Sequence, residues 1–111
     1  MTEHSLEQIT NRMRDNNPLN PNEAAEMRRW LAGEYSWIAS QLEDILKSKA
    51  DHWLLIRENS KSDKATEMEW SRTKEGLRET TFRSQLKRME KLLSSLRTFL
   101  EIANQEARNI F

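Results

Sequence analysis

Residues 82–110 read FRSQLKRMEKLLSSLRTFLEIANQEARNI, and the spacing of their apolar side chains decides the fold class. Phe82, Leu86, Met89, Leu93, Leu96, Leu100, Ala103, Ala107 and Ile110 recur at alternating steps of four and three without a slip. That is a heptad seam, the pattern of a helix that buries one stripe against another helix. Leu92 and Phe99 widen the stripe. Thr80 or Thr81 is placed to cap this helix, which is expected to run to about Asn109.

Upstream, the same periodicity returns. Asn20 is a good N-cap, Pro21 suits the first helical position, and Glu23 stands three after the cap. A helix from there to about Glu58 would be about 57 Å long at 1.5 Å per residue. Met27, Leu31, Ile38, Leu42, Ile45, Trp53 and Ile56 form its stripe, widened by Trp30, Tyr35, Trp37, Leu46, Leu54 and Leu55. Gly33 is its weak point and is expected to permit a close approach or a bend. Between the long helices lie a polar loop, Asn59-Ser60-Lys61-Ser62-Asp63, and a short helix from Glu67 to about Glu75. Thr66 with Glu69 reads as its capping box, and Gly76 either ends it or is carried through. A further short helix is expected over 5–14, with Ser5 as cap, Gln8 completing a capping box, and Leu6, Ile9 and Met13 on one face. Asp15-Asn16-Asn17-Pro18-Leu19 breaks it from the body.

The expected fold is therefore all-α. Two long helices joined by a short helical link should fold back as an antiparallel hairpin. Residues 1–19 form an N-terminal helix and linker, and residues 20–111 form a hairpin and oligomerisation domain. Composition agrees with helix: valine is absent, and both prolines, Pro18 and Pro21, precede the first long helix or open it. Hydrophobic residues make up 36% of the chain and charged residues 32%. That apolar supply is thin for a monomer with long helices, so self-association is expected. Trp30 and Trp37 are seven residues apart and share a helix face. With Leu86, Leu93, Leu96, Phe99 and Leu100 they are the candidate interface of a homo-oligomer. Covering the hairpin core is the alternative role for the two tryptophans.

Several function classes fall away. The chain has no cysteine, which excludes thiolate chemistry and disulfides and suits a reducing cytoplasm. No apolar run is long enough for a transmembrane helix, and Met1-Thr2-Glu3-His4 is unlike a signal peptide, so a complete cytoplasmic protein is expected. Gly33 and Gly76 are the only glycines, which excludes phosphate loops and dinucleotide motifs. His4 and His52 lack partners at metal-ligand spacing, and His52 reads as a surface or interface residue. No nucleophile elbow or paired acid and base is present, so neither catalytic residue, metal nor cofactor is expected, and the chain reads as a non-enzyme.

Charge is balanced overall but not along the chain. Residues 1–45 carry 4 Arg against 8 acids, whereas residues 46–91 carry 12 Lys and Arg against 8 acids. Lys47, Lys49, Arg57, Lys61, Lys64 and Arg72 crowd the hairpin tip, with Lys74 and Arg78 beyond and Trp53 and Trp70 interleaved. Cations neutralise phosphates and aromatic faces stack on bases, so these residues are the candidate single-stranded DNA surface. Asp51, Glu58, Asp63, Glu67 and Glu69 are mixed in, and both tryptophans could instead be core.

Several features in order resemble the UvsY-type recombination mediators of phages, over roughly residues 31–109. They are Tyr35-Ser36 near the start of a long helix, the basic-aromatic run His52-Trp53-Leu54-Leu55-Ile56-Arg57 through Lys64, the Thr66-Glu67-Met68 segment, and the final run Ala103-Asn104-Gln105-Glu106-Ala107-Arg108-Asn109. The resemblance implies a helical, ring-forming, non-enzymatic protein, cytoplasmic in a phage host. Such a protein binds single-stranded DNA and loads a strand-exchange recombinase while displacing single-strand-binding protein. It also implies DNA contact by the basic end of the long helix, matched approximately by Lys49, His52, Arg57 and Lys61. This chain departs from the family in having fewer basic residues there and a Trp in place of a Lys-rich run. The alternative expectation is a coiled-coil adaptor or assembly protein that binds only protein, with Leu6, Ile9 and Met13 as a docking element.

Overall fold

The computed structural model describes residues 5–110, with the backbone alone for Ile110; His4 lies outside that range. Among the described residues the chain is all-helical, 89% helix with no strand. Four helices follow in order: α1 (Leu6–Arg14), α2 (Pro21–Glu58), α3 (Asp63–Arg72) and α4 (Lys74–Ile110). No helix among them is long and apolar enough to cross a membrane.

The two upstream starts follow their local chemistry. Ser5 accepts from the Gln8 amide at 3.1 Å and caps α1. Asn20 accepts from the Glu23 amide at 2.8 Å, and Pro21 opens α2 without a donor to satisfy. Glu23 does not reach back to its own cap. Its carboxylate is held by the Arg12 guanidinium in a two-pronged pair, both N–O distances 2.9 Å.

The two downstream starts differ from the sequence expectation. Ser62, not Thr66, caps the link helix, accepting from the Ala65 amide at 3.1 Å, so α3 begins four residues early. Thr66 lies inside that helix, fully buried, with its hydroxyl donating back to the Ser62 carbonyl at 3.0 Å. α4 begins at Lys74 rather than near Thr80. Thr73 is extended, ends α3, and accepts from the Gly76 amide at 3.0 Å, so one residue both stops one helix and caps the next. The cost of continuing α4 through Gly76 is offset by fit. The glycine is buried, and a Cβ there would overlap the Trp70 carbonyl, with Trp70 C at 2.7 Å and Ser71 Cα at 2.9 Å. Gly33 has the opposite surroundings, exposed with nothing within 4 Å, so it accommodates neither a close approach nor a packed neighbour.

The described chain divides into two compact units. One holds residues up to Tyr35 and from Lys87 onward; the other is Ser36–Leu86. In the first, Ile9, Ala24, Met27, Leu31, Met89 and Leu96 are buried. Ile9 is 1% exposed, so α1 is packed on this unit, and burying one such side chain contributes about 1.5–3 kcal/mol. Arg88 adds a hydrogen bond to the Thr10 hydroxyl at 2.8 Å. In the second unit, Ile38, Leu42, Ile45, Thr66 and Trp70 are buried. The α4 seam is reflected in burial from Phe82 to Ala103, all of it buried or half-buried, whereas Ala107 is exposed.

Candidate nucleic-acid interface

Three helical segments of the Ser36–Leu86 unit meet around one carboxylate. Glu79, in the second turn of α4, accepts from the Trp70 indole at 3.2 Å through Oε1. Lys49 of α2 stands 3.2 Å from the same oxygen, and Arg83 donates to Oε2 at 3.2 Å. Burial pushes the Glu79 carboxyl up. The hydrogen bonds from Lys49, Trp70 and Arg83, with the charge of Lys49, outweigh that and hold it below its ordinary value.

Lys49 also reaches Glu67 at 3.3 Å, and its ammonium lies 5.6 Å from the centre of the Trp70 ring. The His52 ring stacks beside Trp70 at 6.2 Å. Trp70 itself is only 2% exposed. Of the two tryptophans named as stacking candidates, Trp70 is therefore core, bonded and covered within the unit. Trp53 is half-buried, and its indole donates to Glu67 at 3.1 Å.

The cations sort by what already holds them. Lys49 is committed to two carboxylates and is largely covered. Arg57 closes the loop, donating to Asp63 at 2.9 Å and to the Ser60 carbonyl at 2.8 Å. Lys47 has an exposed pair with Glu43 at 3.4 Å, which restrains it little. Lys61, Lys64 and Arg72 are exposed and make no ion pair with any described residue. Lys64, Met68 and Arg72 recur every four residues along α3, which aligns them on one face, and Met68 is 50% exposed between the two cations.

The same unit carries a groove of about 420 Å³ lined by Leu46, Lys49, Ala50, Trp53 and Leu54 of α2 and Glu67 of α3. Glu67 and Glu79 were not legible as organising residues. Arg83 is four residues from Glu79, a spacing that sequence reveals, but the partners Lys49–Glu79 and Trp53–Glu67 join different helices.

The candidate oligomer residues divide as well. Leu96 is fully buried within its own unit. Leu86, Leu93, Phe99, Leu100 and Trp30 are half-buried, and Trp37 is 56% exposed. Tyr35 donates to Glu90 at 2.8 Å, and this bond, with some burial and the carboxylate charge, holds its phenol above the ordinary value. No group of three His, Cys, Asp or Glu among the described residues stands where it could hold a metal ion.

No protein-family model, curated protein or solved structure matches this chain.

Proposed function

We propose that the chain is a non-enzymatic, single-stranded DNA-binding accessory protein of homologous recombination, one that helps load a strand-exchange recombinase against single-strand-binding protein. The observation that carries this reading is a set of three exposed cations, Lys64 and Arg72 on α3 and Lys61 in the loop before it. They lack a carboxylate partner among the described residues, and Lys64 lies one helical turn from Glu67, which accepts from the half-buried Trp53. Unpaired cations release condensed counterions when they meet phosphates, and an aromatic face takes bases without regard to sequence. Lys47 is a peripheral contact in this reading, whereas Lys49 and Arg57 shape the surface and Trp70 supports it from the core.

The reading includes an antiparallel pairing of the two long helices and assembly into a homo-oligomer. Pairing is supported within one unit by Tyr35–Glu90 and within the other by Lys49–Glu79. Assembly is supported by the large apolar side chains left exposed, Trp37 at 56% and Ile102 at 51% among them. Sedimentation velocity should give a species larger than a monomer, and Trp37→Glu should shift it toward the monomer.

The test of the DNA surface is a titration of labelled single-stranded DNA with the native chain and with Lys61→Ala/Lys64→Ala/Arg72→Ala. The expected result is weaker binding for all sequences, with the log–log salt slope reduced by about one unit for each phosphate no longer neutralised. Unchanged affinity and slope would remove this surface. A protein-only adaptor is the second reading, favoured by the zero net charge and by Leu54, Leu55 and Leu77, each about 60% exposed.

A further inference from the structure

The groove in the Ser36–Leu86 unit has a composition that phosphate binding alone does not use. Leu46, Ala50 and Leu54 give it an apolar wall from α2, and Leu54 is 60% exposed. Trp53 stands in the same wall, its indole fixed by Glu67 at 3.1 Å. A ring held in place before a ligand arrives loses little freedom on binding, which favours stacking. At the rim, the Glu67 charge is met by Lys49 at 3.3 Å, so the carboxylate does not stand as a bare negative charge toward an incoming polyanion.

Lys64 lies one helical turn before Glu67 on α3, and Lys61 just precedes the Ser62 cap. Exposed, unpaired cations thus stand on α3 and in the loop before it, Lys64 one turn from the Glu67 that lines the groove. A flat apolar ring attached to a phosphate matches that order of surfaces.

We infer that this groove is a base pocket: it takes one unstacked nucleobase of a single strand against Trp53, between Leu46, Ala50 and Leu54, while Lys61 and Lys64 hold the flanking phosphates. The inference rests on the single-stranded DNA reading and adds a site to it. Stacking makes the pocket tolerant of base identity, and the requirement for an unpaired base excludes duplex.

The test compares a labelled oligo-dT strand with an abasic strand of equal length and charge, each titrated with the full chain. The native chain should bind oligo-dT about tenfold tighter, the effect of roughly one stacked base. Ala50→Leu fills the groove from an exposed helical position without disturbing the core, and Trp53→Phe keeps a ring without its bond to Glu67. Ala50→Leu should bring oligo-dT down toward the abasic value, and Trp53→Phe should fall between. Equal binding of both strands by the native chain would overturn the pocket and leave the phosphate surface standing. A base preference that survives Ala50→Leu would also overturn it. If that variant instead loses self-association at unchanged base preference, the groove belongs to a second copy. Failure of both strands to bind at low salt would remove the DNA reading itself.

Discussion

Gly76 and Gly33 show how little a residue's name says about its role. Both sit inside long helices, where glycine costs about 1 kcal/mol relative to alanine. At Gly76 the backbone of Trp70 and Ser71 occupies the space of a Cβ, so Gly76→Ala should cost about 1–3 kcal/mol by overpacking. At Gly33 the space is open, so Gly33→Ala should stabilise by up to about 1 kcal/mol. Thermal melts of the two variants should move in opposite directions. The tryptophans divide in the same manner. Trp70 is buried and bonded to Glu79, so Trp70→Ala should cost about 3–5 kcal/mol, whereas Trp53 is half-buried beside a groove. Local context points the wrong way: Trp53 precedes Leu54 and Leu55 yet is half-buried, whereas Trp70 stands between Glu69 and Ser71 yet is core. What separates them is the Glu79 carboxylate arriving from another helix, which no local pattern encodes.

At the scale of elements, legibility followed the range of the interaction. Both ends of α2 could be read because Asn20, Pro21 and the polar loop after Glu58 act within a few residues. The starts of α3 and α4 could not, because this stretch offers several hydroxyl residues in capping positions. Ser62 and Thr73 act as the caps, while Thr66 is drawn into the core and its hydroxyl turns back to the Ser62 carbonyl. The heptad seam was readable as far as Ala103; beyond it Ala107 is exposed, and the side chain of Ile110 lies outside the described residues. α1 is a nine-residue helix, too short to persist alone, and it owes its place to Ile9 and to the Arg12 fork on Glu23. Arg12 also donates to the Asn17 and Pro18 carbonyls, tying the turn to the same side chain. Arg12→Met should therefore release α1 first. Hydrogen exchange should show faster exchange of the amides in 6–14, with those of α2 little changed.

At the scale of the whole molecule, balanced net charge conceals a division between charges consumed by the fold and charges left to solvent. The fold uses Glu79 with Lys49, Trp70 and Arg83, and this sets a pH dependence. The Glu79 carboxyl is held below its ordinary value in the folded chain, so the unfolded chain binds its proton more readily. Its stabilisation is complete above the ordinary carboxylate value and is lost as the pH falls through the depressed one. Acid titration followed by circular dichroism should show the native chain losing stability over that range, and Glu79→Gln should flatten the dependence while lowering stability at neutral pH. Of the candidate DNA-binding cations, Lys61, Lys64 and Arg72 are left unpaired to solvent, residues that the sequence named but could not distinguish from Lys49 and Arg57, because ion pairing between elements is invisible along the chain. These free cations are the basis of the proposed function. The most direct test is fluorescence anisotropy of a labelled oligo-dT strand titrated with the full chain at low salt and at about 200 mM, with a duplex of equal length beside it. The proposed function requires binding that weakens steeply with salt and is tighter for the single strand. Absence of binding at low salt, or equal affinity for the duplex, would contradict it.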